Sequence, residues 1–101
     1  MESTVDNLVC ALCLDYDRRS EALVEKNCSK RVATELRYYN AMIWQAAVEV
    51  SGLRDAGIFI SDIGKRDGYA ATDASYYSEQ TYKNYKKMIK ENIARKLHLC
   101  D

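Results

Sequence analysis

Proline is absent from this chain of 101 residues, and glycine occurs only four times. Both residues interrupt regular secondary structure, so the chain has too few turn-forming residues for a many-stranded sheet. Alanine, leucine, lysine, glutamate and arginine are abundant, and all five favour helices. We therefore predict an all-α protein with a single helical domain over residues 1–101, a length at which folding buries roughly two thirds of the unfolded surface.

Long apolar runs are also absent, and no stretch reaches the length that spans a bilayer. The first residues lack the basic start of a secretory signal. We expect no membrane contact and a cytoplasmic location, where cysteines remain thiols.

Histidine occurs once, at His98, and no glycine-rich phosphate loop is present. A catalytic dyad would need Cys100 or a helical thiol brought beside His98 by folding. Neighbouring acids such as Asp15 and Asp17 point in different directions around a helix. We therefore expect no enzyme and no cofactor.

The four cysteines are Cys10, Cys13, Cys28 and Cys100, and the first two form a CxxC motif. Four thiolates make a tetrahedral zinc site, which a pair of CxxC elements would indicate strongly. Here only one pair exists, it lies in a predicted helix, and the other two cysteines are far apart. Buried apolar thiols are the simpler interpretation, and zinc is the alternative.

Positive and negative charges cancel over the whole chain, but they are unevenly distributed. Residues 1–64 carry seven Lys or Arg and ten Asp or Glu, a net charge of −3; residues 65–101 carry eight and five, a net charge of +3. This polarity lets one end of the molecule approach phosphates.

Apolar residues recur at helical spacing in four segments, approximately residues 4–26, 30–51, 53–63 and 79–97. The second segment has the strongest period, because its apolar residues alternate steps of four and three. They are Val32, Leu36, Tyr39, Ile43, Ala46 and Val50. The short connection between the first two segments predicts an antiparallel helical hairpin, followed by a short helix and a basic C-terminal helix.

Cap residues mark several of these ends. Ser29 and Ser78 precede the second and last segments, where a serine hydroxyl accepts a hydrogen bond from a free backbone N–H. Gly52 and Gly64 follow the second and third segments and suit a left-handed C-cap. Residues 70–77 leave room for one short helical turn.

The last segment is apolar on one face and basic on the other. Tyr85, Ile89, Ile93 and Leu97 return at core spacing, with Met88 beside them. Six cations against two acids, Glu79 and Glu91, lie between residues 78 and 97, away from the apolar stripe. These cations are Lys83, Lys86, Lys87, Lys90, Arg95 and Lys96.

The residues YSEQTYKNYKK at 77–87, with IARKLHL at 93–99, resemble the C-terminal end of phage-type transcriptional regulators of the ArpU and RinA kind. In that family a serine, two further residues, a threonine, an aromatic and a basic residue open the recognition helix of a helix-turn-helix, similar to that of bacterial sigma factors. The resemblance covers about a quarter of the chain. It implies that the residues meeting the major groove are Ser78, Gln80, Thr81, Lys83, Asn84 and Lys87.

The chemistry of these side chains is compatible with DNA. Gln and Asn can pair with adenine, Lys can donate to guanine, and Ser and Thr hydroxyls can bind phosphate. Lys86 and Lys90 extend the basic face and complete the predicted DNA-binding set. The first hypothesis is therefore a small transcriptional regulator of phage or mobile-element type that binds duplex DNA through its last helix.

Two alternatives remain open. The lysines can form a solvated face of an ordinary terminal helix, as most charge runs do. The chain can then be a helical protein-interaction module or homodimer, using the periodic stripe of the second segment or the adjacent tyrosine pairs Tyr38-Tyr39 and Tyr76-Tyr77.

Overall fold

The computed structural model describes residues 2–24, 29–72 and 76–99. The protein is all-α, as predicted. Its helices are α1 (Ser3–Leu14), α2 (Tyr16–Val24), α3 (Lys30–Ser51), α4 (Ala56–Lys65) and α5 (Glu79–Lys96), and a single 3-10 turn occupies Tyr69–Ala71. Within the described ranges, no helix is both long and apolar enough to cross a membrane.

The first predicted helix, 4–26, is in fact two helices, α1 and α2, separated at Asp15; residues 25 and 26 lie outside the described ranges. Arg19, whose side chain is buried, contacts the break. Its guanidinium donates to the carbonyl oxygen of Leu12 at the end of α1, where helix carbonyls lack a backbone partner. Periodicity along the sequence cannot predict such a break, because the apolar spacing continues across it.

α2 packs against α3 and forms the predicted hairpin. Asn40 on α3 joins the pair, since its Nδ2 donates to the Tyr16 carbonyl oxygen at 3.2 Å and to Ser20 Oγ at 2.9 Å. Its Oδ1 accepts from Arg19 Nε at 2.7 Å. All polar atoms of this buried contact are therefore paired, as burial requires.

α3 agrees with its predicted limits and lies against α2, α4 and α5. Ser29 is its N-cap, accepting from the Val32 N–H at 3.3 Å, and Gly52 ends it with a positive φ of 83°. Both caps lie at the predicted residues, although a ψ of 171° places Gly52 outside the αL conformation that the sequence predicts. The buried side chains of α3 lie between Asn40, at the middle of the helix, and Ala47.

α4 begins later and ends later than the predicted segment 53–63. Leu53 is exposed, and the chain turns at 53–55 before the helix starts. The sequence predicts a C-cap at Gly64, but this residue is buried inside α4. The C-cap is Arg66, with φ of 59°. A Cβ atom on Gly64 would lie 2.6 Å from the Leu14 backbone nitrogen. Glycine is therefore needed here for the close crossing of α1 and α4.

α5 starts at the predicted N-cap, since Ser78 Oγ accepts from the Thr81 N–H at 3.1 Å. Residues 66–78 separate α4 from α5, whereas the turn of a helix-turn-helix has about three or four residues. α4 and α5 therefore do not form the tight pair that the family resemblance implies. Much of the packing of α5 is against α3, with further contacts to α1 and α4.

The core lies where α1, α3, α4 and α5 meet. Its largest fully buried apolar side chains are Tyr82, Phe59, Ile43, Ile63, Ile89, Ile93 and Val9. Phe59 and Tyr82 stack with ring centroids 4.6 Å apart, which joins α4 to the start of α5. Ile89 and Ile93 occupy the predicted apolar stripe of α5, but Met88 beside them is half exposed.

Candidate interaction surfaces

Four of the predicted DNA-binding residues form one exposed ridge on α5: Gln80, Lys83, Asn84 and Lys87. Their spacing places them on one helical face. Gln80 Nε2 donates to Asn84 Oδ1 at 3.0 Å, and Lys83 pairs with Glu79 at 3.2 Å in an exposed contact. Exposed pairs of this kind contribute only about 0.3–0.5 kcal/mol. These side chains can therefore exchange their present partners for others.

Ser78 and Thr81 have local roles at the start of α5. Besides the N-cap bond, Ser78 Oγ donates to Thr81 Oγ1 at 2.8 Å. The two hydroxyls therefore satisfy one another and the first turn of the helix.

Lys86 and Lys90 lie at the border of the core, not on the exposed ridge. Lys86 Nζ pairs with Asp62 Oδ1 at 3.1 Å, and Lys90 Nζ pairs with Asp6 Oδ1 at 2.9 Å. Each lysine side chain is less than one quarter exposed. The reason is geometric: Lys86 follows buried Tyr82 by one helical turn, so its stem covers apolar surface while the ammonium reaches a carboxylate.

Most of the positive charge of α5 is therefore neutralised by acids of the same molecule. Lys96 also pairs with Glu49, at 2.8 Å. Of the cations on α5, only Lys87 and Arg95 form no ion pair with described residues. The basic face that the sequence predicts is weaker in the folded protein.

Asp62 is the buried centre of one of these contacts. It accepts hydrogen bonds from Tyr82 Oη at 2.5 Å, the Gly68 N–H at 2.8 Å and Lys86 Nζ. Burial by itself would raise the pKa of Asp62, but these donors outweigh it and hold the pKa below the ordinary 3.8. Burial and the Asp62 charge together raise the pKa of Tyr82 above its ordinary value.

Asp55 forms a second buried carboxylate site at the start of α4. Tyr76 Oη donates to its Oδ1, and Tyr77 Oη donates to its Oδ2 at 2.7 Å. The Tyr76 hydrogen bond is the main cause that lowers the pKa of Asp55, although burial opposes it. Burial and the Asp55 contact raise the pKa of Tyr77 to about 12. One predicted tyrosine pair thus stabilises the fold.

Cys10 and Cys13 are buried free thiols of α1. Burial raises the pKa of Cys13 to about 12, which opposes the thiolate that a metal requires. No group of three or more potential metal ligands occurs among the described residues. The other two zinc candidates, Cys28 and Cys100, lie outside those residues.

In the first half of α3, two residues of the periodic stripe are exposed to solvent. Val32 and Tyr39 remain 44% and 39% exposed, whereas Ile43 and Ala46 further along the same stripe are fully buried. The hydrogen bonds and the ion pair from α5 lie further along, at Ala46 and Glu49. We call Val24, Val32, Tyr38 and Tyr39 the hairpin face; Val24, at the end of α2, is 78% exposed.

A small cavity of about 110 Å³ lies between the α1–α2 break, α3 and α4. Tyr16, Trp44 and Ile60 are among its lining residues, and Asp17 and Lys65 also contribute. Its volume is below the roughly 150 Å³ of an engineered cavity that holds benzene.

Comparison of the chain with protein-family models, with curated proteins and with solved structures finds no match. The resemblance to phage-type regulators therefore stays a prediction.

Sequence analysis missed the residues that organise the interior, above all Arg19, Asp55 and Asp62. All three are charged and buried, a combination that sequence patterns do not anticipate. One signal was present: Asp55 and Asp62 lie seven residues apart and flank the apolar run of α4, so they share a helical face.

Proposed function

We propose that this protein is a helical protein-interaction module that binds its partner through the hairpin face. The observation that carries the proposal is the exposure of Val32 and Tyr39 in a stripe whose next members, Ile43 and Ala46, are fully buried. An apolar stripe with the spacing of a helical seam favours a packed neighbour. α3 packs against α2, α4 and α5, and its hydrogen bonds and ion pair with α5 lie in its second half, at Ala46 and Glu49.

The composition of the hairpin face is that of a binding surface. Tyr38 and Tyr39 contact edge to face, with ring centroids 5.8 Å apart. Tyrosine supplies large contact area at low entropic cost and is enriched in interfaces. α2 ends at Val24 and α3 begins only six residues later, at Lys30, whereas Asn40 contacts the earlier residues Tyr16 and Ser20 of α2. The two helices therefore run antiparallel, and Val24 and Val32 share one end of the hairpin.

The surroundings of the hairpin face favour a partner that carries charges of both signs. Arg31 and Glu35 lie on the same exposed part of α3 and form a loose ion pair of 3.8 Å. Arg37 is exposed nearby. An amphipathic partner helix could lay its apolar side on Val32 and Tyr39 and pair its flanking charges with these residues.

The test is affinity capture from an extract of the source cells, followed by titration of the recovered partner. We expect Val32→Ser with Tyr39→Ser to weaken binding at least tenfold, because exposed aromatic anchors carry about 1–2 kcal/mol or more. The matched control is Ala41→Ser with Gln45→Ser, at exposed positions of α3 outside the hairpin face. Equal binding by both double variants would refute the proposal.

Duplex DNA is a second candidate, which the exposed ridge of Gln80, Lys83, Asn84 and Lys87 favours. We rank it lower, because four of the six cations of α5 are paired with acids. In this hypothesis the ridge meets the groove and Lys87 binds phosphate.

Fluorescence anisotropy with random duplex DNA, at low and near-physiological salt, tests the second candidate. Salt-dependent binding that is lost in Lys83→Ala with Lys87→Ala, and retained in the exposed control Arg31→Ala with Arg37→Ala, would support it. Absence of binding at low salt would exclude DNA and leave the interaction module unaffected.

A further inference from the structure

The cavity of about 110 Å³ beside the α1–α2 break has a buried side that is apolar. Cys13 and Ile60 are buried there, and the aromatic residues Tyr16 and Trp44 are half-buried. Ligand sites in proteins are lined mainly by apolar and aromatic side chains, with a few polar groups that fix the orientation of the ligand. The buried side of this cavity therefore suits the apolar part of a small molecule.

The exposed side of the same cavity is polar and is formed by Asp17, Ser61 and Lys65. Asp17 lies in the first turn of α2 and Lys65 lies at the end of α4, so two different helices bring opposite charges to one cavity. Neither side chain forms an ion pair with the other or with any further residue in the described ranges. Both charges are therefore available to a ligand.

Gly57 also lines the cavity, although nothing in the fold requires glycine at this position. Its φ is not positive, and an added Cβ atom would meet no atom within 4 Å. Gly64 differs, because the Leu14 backbone leaves no room for a side chain there. Alanine is the better helix former by about 1 kcal/mol. The missing side chain of Gly57 leaves space open beside the cavity.

We propose that this cavity binds a free amino acid with a short aliphatic side chain, in its zwitterionic form. The ammonium group of the ligand pairs with Asp17, and its carboxylate pairs with Lys65. Ser61 lies four residues before Lys65, on the same face of α4, where its hydroxyl can donate to the carboxylate. The aliphatic side chain of the ligand lies against Trp44 and Ile60.

The volume of the cavity limits the size of this side chain. Since roughly 150 Å³ holds the ring of benzene, 110 Å³ encloses about four carbon atoms. The α-carbon and isopropyl group of valine meet this limit, while the charged groups lie at the exposed side. The benzyl group of phenylalanine exceeds it. We therefore expect the site to select ligands by size.

Trp44 is the only tryptophan of the chain and lines the cavity, so its fluorescence reports binding. Titration of the full chain with L-valine should give a saturable change, and L-phenylalanine should give none. Isobutylamine lacks the carboxylate and isovalerate lacks the ammonium group, so each should bind more weakly than L-valine by about threefold or more. Equal affinities for these three ligands would overturn the proposal. No saturable change with L-valine, together with no heat of binding in calorimetry, would overturn it as well.

Two charge variants test which side chain binds which charge. Asp17→Asn should abolish the preference for L-valine over isovalerate, and Lys65→Gln should abolish the preference for L-valine over isobutylamine. Asp67→Asn and Lys87→Gln, at exposed positions outside the cavity, are the matched controls and should keep both preferences. Unchanged preferences in the Asp17 and Lys65 variants would refute the assigned contacts.

Gly57→Leu tests the location of the site. It should weaken L-valine binding by about threefold or more, because the added side chain occupies space beside the cavity. Ala41→Leu, at an exposed position of α3, should leave the affinity unchanged, and circular dichroism shows that each variant is folded. Unchanged affinity in Gly57→Leu would overturn the assignment to this cavity. None of the described lining residues belongs to the hairpin face, so this proposal and the interaction module can fail separately.

Discussion

Asp62 explains at the scale of a single residue why Lys86 is not a free cation. The carboxylate has no exposed side-chain surface, and its donors come from three places: Tyr82, Gly68 and Lys86. Removal of one partner would leave a buried charge without full compensation. Lys86 is therefore part of the packing between α4 and α5. Its ammonium group pairs with Asp62 and would have to leave this carboxylate to bind an external anion.

Gly64 has an equally specific role at the crossing of α1 and α4. We expect Gly64→Ala to lower the free energy of unfolding by about 1–3 kcal/mol, since overpacking against rigid atoms forces a backbone shift. The added Cβ would meet the backbone of Leu14 at 2.6–2.7 Å. Urea denaturation of the purified variant measures the change.

Gly57→Ala is the matched control within the same helix. A Cβ at Gly57 has nothing within 4 Å, and alanine is the better helix former by about 1 kcal/mol. This variant should be as stable as the natural chain or more so. If both glycine variants lost stability equally, the close crossing of α1 and α4 would not be the cause.

At the scale of elements, the break between α1 and α2 directs α2 along α3. Arg19 holds the break from inside, whereas its neighbour Arg18 is exposed and contacts only Asp15 through its side chain, with Nε 2.5 Å from Oδ1. Asp15 has a pKa below its ordinary value, chiefly because of the Arg18 hydrogen bond. The two adjacent arginines therefore offer a direct comparison of a buried and an exposed contact.

Arg19→Met should destabilise the protein by about 1–3 kcal/mol, because the Leu12 carbonyl and the Asn40 amide oxygen lose a buried donor. Arg18→Met removes an exposed pair and should cost clearly less than Arg19→Met. Thermal or urea unfolding followed by circular dichroism gives both values. Similar losses for the two variants would contradict a structural role for the Arg19 contact.

α3 and α5 illustrate how much of the elements was predictable. Their limits and N-caps agree with the sequence, because cap hydroxyls and apolar spacing act within one helical turn. The predicted end of α4, at residue 63, is too early, because Gly64 resembles a C-cap in the sequence. Its true role, close contact with Leu14, depends on a residue far away in the sequence.

At the scale of the whole molecule, two buried carboxylates and their tyrosines connect α4 to the segment that leads into α5. Asp55 accepts hydrogen bonds from the hydroxyls of Tyr76 and Tyr77, and Asp62 accepts one from the hydroxyl of Tyr82. Their ionisation should therefore control the stability of the complete fold at both ends of the pH scale.

In acid, we expect stability to fall below pH of about 4. The folded pKa values of Asp55 and Asp62 lie below the unfolded value near 3.8, so their contribution is complete above that value. It is lost as the pH falls through the folded values. Urea midpoints measured between neutral and acid pH should show this decline, and Asp62→Asn should make it shallower. An equally steep decline in that variant would argue against the Asp62 contact.

In alkali, stability should fall as the pH rises. The pKa values of Tyr77 and Tyr82 are raised above the unfolded value near 10, so their contribution is complete below pH 10. It is lost as the pH rises toward about 12, the folded value for Tyr77. Tyrosinate absorbance should show a late group of tyrosines that ionise only as the protein unfolds. Simultaneous titration of all tyrosines near pH 10 would contradict this expectation.

The candidate surfaces were only partly predictable. Sequence spacing placed Gln80, Lys83, Asn84 and Lys87 on one exposed ridge, which the structure confirms. It could not identify the acids that pair with Lys86 and Lys90, because Asp62 and Asp6 belong to other helices. The exposure of the first half of the α3 stripe could not be predicted either, because periodicity does not show which half of a long helix packs against its neighbours.

The sequence by itself determined the helical class, the limits of α3 and α5, the cap positions of α3, the N-cap of α5, and the apolar stripe of α5. These features depend on propensity, capping and a period of 3.6 residues, all of which act between residues close together in the chain. The tertiary structure alone decided the break at Asp15, the need for glycine at position 64, the neutralisation of Lys86 and Lys90, and the exposure of the hairpin face. Each depends on contacts between residues far apart in the sequence, and on which helix lies beside which.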